Sequence, residues 1–243
     1  MRSLRPQPWM RNPVNMPEVS LAGLRVGLFK DPVSASTHFG GALAAGVGTV
    51  ALVLAAAPDG WLRATGMLIY GLSLTGLLGA SAVYHFFDVG EAGNQLLRCI
   101  DHAGIYALIG GSYVPPVLHL LEGSWRIGML TTVGVIAVLG MVLKLLWADW
   151  PEWLSVSLYL GFAYMAFLPL GEALPRMGDA AIAWAAAGGF AYTLGAAVYY
   201  FERPDPWPGL FGHHELWHVF VLLGAGCHYG LMWCLLDVPC LPF

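Results

Sequence analysis

Charge is what this chain has least of. Only 11% of its 243 residues are Asp, Glu, Lys or Arg, against 58% that are hydrophobic, whereas soluble domains carry about 25% charged residues. That shortage excludes an ordinary water-facing surface and predicts a multi-span membrane protein. No basic face or tail is present to hold a phosphate backbone, so the net charge of −4 goes with no nucleic-acid partner. Cysteine is scarce as well. Cys99, Cys227, Cys234 and Cys240 form no C-x-x-C, which argues against a disulfide scaffold and a thiolate zinc site and leaves Cys234 with Cys240 as a candidate external pair. Residues 1–30 contain Arg2, Arg5, Arg11, Arg25 and Lys30 but no apolar core of about 7–15 residues ending in a small-residue cleavage site, so no signal peptide is read. The first span is expected to direct insertion.

What is present is a series of long apolar runs. A helical span needs about 20 mostly apolar residues, and seven windows qualify: 37–57, 63–87, 100–121, 126–147, 153–173, 180–201 and 214–236. The connections are short and carry turn residues, such as Pro58-Asp59-Gly60 and Asp149-Trp150-Pro151. None is long enough to separate two domains. The expected fold is therefore an all-α integral membrane protein with seven transmembrane helices. With the N-terminus cytoplasmic, the inside collects Arg2, Arg5, Arg11, Arg25, Lys30, Arg98, Lys144 and Arg203, and the outside only Arg63, Arg126 and Arg176. That excess predicts an N-terminus inside and a C-terminus outside. The organisation follows as a cytoplasmic segment 1–36, a seven-helix domain 37–236 and a short external tail 237–243. Glycine and alanine within the spans favour close backbone approach between helices.

The polar residues of these runs concentrate at one face. His214 and His218 are i and i+4 on the last run, about 6 Å apart at Cβ, which suits two nitrogens converging on one zinc at about 2.0–2.1 Å. With alternating spans, the end of the second, the start of the third and the start of the seventh lie at the same membrane face. Ser81 and His85, again i and i+4, end the second; Asp101 opens the third. Ionisable groups within a bilayer are costly and commonly mark function. Three histidines with an open fourth position are what a catalytic zinc requires. Asp101 is the candidate proton acceptor, and Ser81 the candidate donor to a developing oxyanion. Each residue also has a plainer reading, since single histidines in spans commonly bond across helices and serines bond back to their own helix. The coincidence of three helix ends favours the site.

Other residues compete for roles in it. Asp88, three residues after His85, is the rival carboxylate. His38, at the start of the first span, lies in the same layer and is a candidate for orienting a ligand or lining the entrance. His102 and His213 sit on other faces and read as loop or solvent contacts; His119 lies at the outer end, and deep His228 reads as an interhelical hydrogen bond. His214-Glu215-Leu216-Trp217-His218 also spells H-E-x-x-H, the pattern of zinc proteases in which Glu is the base. That reading needs a third ligand downstream, yet His228 is about 15 Å farther along the helix and Asp237 farther still. Glu215 points about 100° away from His214, toward a polar contact at the helix end.

Four stretches together carry a family likeness: Thr37-His38, Ser81-Ala82-Val83-Tyr84-His85, Ile100-Asp101-His102-Ala103-Gly104-Ile105-Tyr106 running on to Gly111-Ser112-Tyr113-Val114-Pro115, and His214-Glu215-Leu216-Trp217-His218-Val219-Phe220. On these the chain resembles the hemolysin III family, the bacterial branch of the progestin and adiponectin receptor superfamily. The resemblance implies seven helices, a cytoplasmic N-terminus, a zinc held by His85, His214 and His218, Asp101 near metal-bound water and Ser81 nearby. It further implies that Glu215 is no essential base, since relatives carry Glu or Gln there. The leading expectation is a metal-dependent hydrolase of a lipid amide or ester at the cytoplasmic side of the cell (inner) membrane, with membrane lipid as substrate or ligand; the superfamily resembled includes alkaline ceramidases. A receptor or regulator of membrane composition with structural zinc is the second expectation. A hemolysin-like pore former ranks below both, because so few lumen-type charges offer no aqueous path.

Overall fold

The computed structural model describes residues 18–21, 24–147 and 149–237. Arg2, Arg5, Arg11, Cys240 and the expected tail beyond Asp237 lie outside them, and with Cys240 the Cys234–Cys240 pair. Two short strands come first, β1 (Glu18–Leu21) and β2 (Leu24–Leu28). They are followed by α1 (Pro32–Ala56), α2 (Trp61–Phe86), the two-residue strand β3 (Phe87–Asp88), α3 (Gly90–Leu120) and α4 (Gly123–Leu146). The chain then forms α5 (Glu152–Tyr164), the short α6 (Leu170–Ala173), α7 (Asp179–Phe201) and α8 (His213–Leu236). The protein is thus a helical, multi-pass integral membrane protein. Among the described residues five helices are long and apolar enough to cross a membrane, and the α5–α6 region makes a sixth if its two bent parts count as one span. The longest helix, α3, occupies the third expected window and is more polar, with Glu91, Arg98 and Asp101 in its first half and Pro115 and Pro116 inside it.

Two features depart from hydropathy alone. The fifth window, expected as one span over 153–173, is broken: a 3₁₀ turn at Met165–Phe167 follows α5, and the helical pieces on either side of Pro169 meet at 44°. A proline inside a helix removes one backbone donor and clashes with the carbonyl four residues back. The second feature is a small antiparallel sheet in the order β1-β2-β3, in which Gly27 and Leu28 pair with Asp88 and Phe87. This ribbon ties the segment preceding α1 to the end of α2. Backbone bonds from Lys30 N to Phe86 O (3.3 Å) and from Asp31 N to His85 O (2.8 Å) extend the tie.

Successive helices pack as neighbours from α1 to α4, α7 packs along α8, and α8 closes against α1 and α3; α5 touches α3 and α7 only lightly. Between apolar helices in lipid, close packing and hydrogen bonds supply the association. Gly104 on α3 shows the tightness required: a Cβ there would stand 3.3 Å from the Leu77 Cα on α2. Leu77 and Gly104 are one turn from Ser81 and Asp101, so this approach brings those two side chains within reach of each other.

The end of the bundle away from the histidines is closed by buried arginines. Arg63, at the start of α2, donates to His119 Nε2 (3.1 Å), to Asp59 (2.6 Å) and to the carbonyls of Leu235 and Leu236 at the end of α8. Arg126, at the start of α4, donates to Leu121 O (2.8 Å) and Leu118 O (3.4 Å) at the end of α3. The last carbonyls of a helix have no intrahelical partner. These guanidinium groups supply one.

Candidate metal centre

Two segments remote in sequence deliver three imidazoles to one place. His85 sits on the last turn of α2, His214 and His218 on the first turns of α8. One ligand atom from each lies within 4.8 Å of the others. His85 is fully buried and His218 is 2% exposed. His85 Nε2 and His214 Nε2 are 3.4 Å apart, and two nitrogens each about 2.0–2.1 Å from one tetrahedral ion are separated by about that distance. Two imidazoles meet by hydrogen bonding at a similar spacing, so the third ring carries the distinction: His218 lies 4.7 Å from His85 and 4.8 Å from His214 between ring centroids. The group can hold a metal ion.

The other nitrogen of His85 is already engaged. Its Nδ1 lies 2.8 Å from Asp31 Oδ2, so Nδ1–H donates to the carboxylate and the lone pair is left on Nε2, toward the cluster. A carboxylate behind a metal-binding histidine fixes its tautomer and raises its basicity. Asp31 comes from the residue preceding α1, and the β-ribbon holds it against the end of α2. Burial raises its carboxyl to about 6, opposed by Lys30 and by His214. Lys30 itself is lowered by burial, with Asp31 acting against that; its ammonium stands 3.6 Å over the Tyr84 ring. Sequence reading missed Asp31. The available signal was a carboxylate next to Pro32, a residue suited to the first helical turn, in the layer where parity had gathered the other polar groups.

Asp101 and Ser81 face each other across α2 and α3, with the Ser81 side chain beside the Asp101 carboxyl, and both line a large cavity. Arg98, one turn before Asp101, turns instead to Asp149 at 3.0 Å. The rival carboxylate Asp88 takes Gly90 N (3.1 Å) and Asn94 Nδ2 (2.7 Å) at the start of α3, which makes it a turn residue. Glu215 accepts from Gly212 N at 2.8 Å and so caps the start of α8 in the manner of a helix N3 glutamate. It is occupied away from the cluster. His38 stacks on His218 with centroids 3.8 Å apart; neither of its ring nitrogens has a hydrogen-bond partner. His102, expected to meet loop or solvent, lines the cavity instead.

The cavity has a volume of about 2420 Å³, larger than the roughly 300–1,000 Å³ of common ligand pockets. His38, Ser81, Asp101, His214 and His218 border one end, and apolar residues such as Leu120 and Leu174 the other. Light packing of α5 leaves this space open. The arrangement offers a metal-binding group, a carboxylate and a hydroxyl at the head of a long apolar chamber.

Comparison with known proteins gives the same grouping. The family model described as haemolysin-III related matches residues 26–229. The chain is similar to hemolysin-3 of Bacillus cereus, with 28% identity over 196 residues, covering 79% of this chain and 85% of that one. It is also similar to a hemolysin-3 homolog of Bacillus subtilis, with 28% identity over 66% of this chain and 72% of that protein. Heptahelical transmembrane protein 4 of Arabidopsis thaliana is 31% identical over 63% of this chain, which spans only 44% of the plant protein's length. A match over most of the chain, including every residue that builds the histidine cluster, makes this protein a member of the haemolysin III family, within the progestin and adiponectin receptor superfamily.

Proposed function

We propose that the protein is a zinc-dependent membrane hydrolase that cleaves an amide or ester linkage of a lipid at the cytoplasmic side of the cell membrane. The observation that carries this reading is the position of the histidine cluster at the head of a cavity that Asp101 and Ser81 also border. A metal needed only for structure is ordinarily enclosed by four protein ligands, whereas three imidazoles leave a position open. The donor set of three nitrogens suits zinc, and His85, His214 and His218 would hold it. Bound there, zinc supplies a Lewis acid that lowers the pKa of water to about 7 and polarises a carbonyl.

The chain's own residues account for the remaining steps. The apolar cavity holds the acyl chain and excludes water, bringing the linkage to its polar head. Asp101 accepts a proton from the attacking water and passes it to the leaving nitrogen or oxygen. Ser81, beside Asp101, orients that carboxylate and can turn its hydroxyl to the developing oxyanion. Asp31 keeps His85 in the ligating tautomer. The test is Asp101→Ala in purified protein: zinc is retained at about one per chain while turnover of an N-acyl lipid amide falls by at least about 100-fold. Unchanged turnover would favour the receptor or regulator reading, with the metal as a structural element.

A further inference from the structure

His228 lies ten residues beyond His218 on α8, about 15 Å farther along the helix axis, and lines the same cavity. Its expected interhelical hydrogen bond is not made: among the described residues neither His228 nor the adjacent Tyr192 has a hydrogen-bond partner, although both border the cavity. Their rings meet edge to face at 5.3 Å. On α7, Gly188 leaves the room that the imidazole occupies, since a Cβ there would collide with the ring. Of the nearby hydroxyls, that of Tyr70 is buried without a partner, and three others are engaged. Ser112 donates to Leu108 O and Thr193 to Gly189 O, each at 2.7 Å, and Tyr164 pairs with Thr193 at 2.6 Å. A polar group in hydrocarbon without a partner is costly, and packing alone would be served as well by phenylalanine.

We propose that His228, with Tyr192 beside it, forms a polar subsite for a hydroxyl carried on the acyl chain of the bound lipid. A neutral imidazole offers one donor and one acceptor, the complement of a hydroxyl. An extended chain with bonds of about 1.5 Å at tetrahedral angles advances about 1.3 Å per carbon, so 15 Å places that hydroxyl about a dozen carbons from the headgroup linkage. The inference rests on the reading of the cavity as a lipid site and names its substrate class more narrowly.

The test compares octadecanoate with its 12-hydroxy and 2-hydroxy derivatives, binding to the full chain in lipid nanodiscs. The 12-hydroxy acid is expected to bind about tenfold more tightly than octadecanoate, the worth of one net hydrogen bond, and the 2-hydroxy acid to show no such gain. His228→Phe keeps the ring volume and is expected to abolish the gain while leaving octadecanoate affinity unchanged; His228→Gln, which can still donate and accept, retains part of it. Equal binding of all three acids, or a gain that survives in His228→Phe, overturns the subsite and leaves the lipid reading standing. Failure of all three to bind overturns both.

Discussion

His119 and His218 are the same side chain, equally withdrawn from solvent at 0% and 2% exposure, at opposite ends of the bundle. Both ring nitrogens of His119 are engaged, Nδ1 with Pro115 O at 2.7 Å and Nε2 with Arg63. At the other end His218 Nδ1 and both nitrogens of His38 have no hydrogen-bond partner. Buried polar groups in folded proteins are nearly always satisfied. One end therefore reads as finished structure, with its cations spent on helix-terminal carbonyls. The other gathers the three imidazoles of a group that could hold a metal ion.

The largest expected effect breaks that comparison directly. Replacing His218 by Ala takes zinc from about one per chain to none, as elemental analysis of purified protein would show, whereas His119→Ala leaves zinc content unchanged. Equal loss from both would erase the difference between the ends. The reverse contrast comes from Arg63→Ala, which strands buried carbonyls and His119 and is expected to cost about 3 kcal/mol of stability. A thermal shift in detergent reads it, with zinc per folded chain unaltered. Asp31→Ala sharpens the comparison by removing the carboxylate that holds His85 Nδ1: zinc affinity falls by about 10–100-fold against a competing chelator. The smallest effect is that of Glu215→Ala, about 1 kcal/mol from the lost cap. Metal content and turnover stay as they were, an outcome at odds with a general-base role for this residue.

Much of the site was legible before the fold. His85, His214 and His218 could be grouped because two rules act on sequence alone: i and i+4 share a helix face, and alternating spans return to the same membrane face. Asp101 and Ser81 followed by the same parity. Asp31 was not legible, because its pairing with His85 depends on a ribbon between Gly27–Leu28 and Phe87–Asp88 that no hydropathy window records. Glu215 and His102 were ambiguous for a related reason. A helical wheel gives the direction of a side chain, while its neighbour depends on what packs there: a free backbone N–H at Gly212 in one case, a cavity wall in the other.

Composition and periodicity by themselves determined that this is a helical membrane protein, roughly where its apolar helices lie, and which polar residues share a depth. These are local consequences of moving apolar chain into lipid and of closing backbone hydrogen bonds within each helix. Only the tertiary structure decided that Asp31 holds His85, that Glu215 caps α8, that the fifth segment bends and packs loosely, and that a cavity therefore runs from the histidines to the far end. Those outcomes depend on the distances between segments far apart in sequence, set by the close approach of particular pairs such as Gly104 with Leu77. Periodicity along the chain carries no record of those distances.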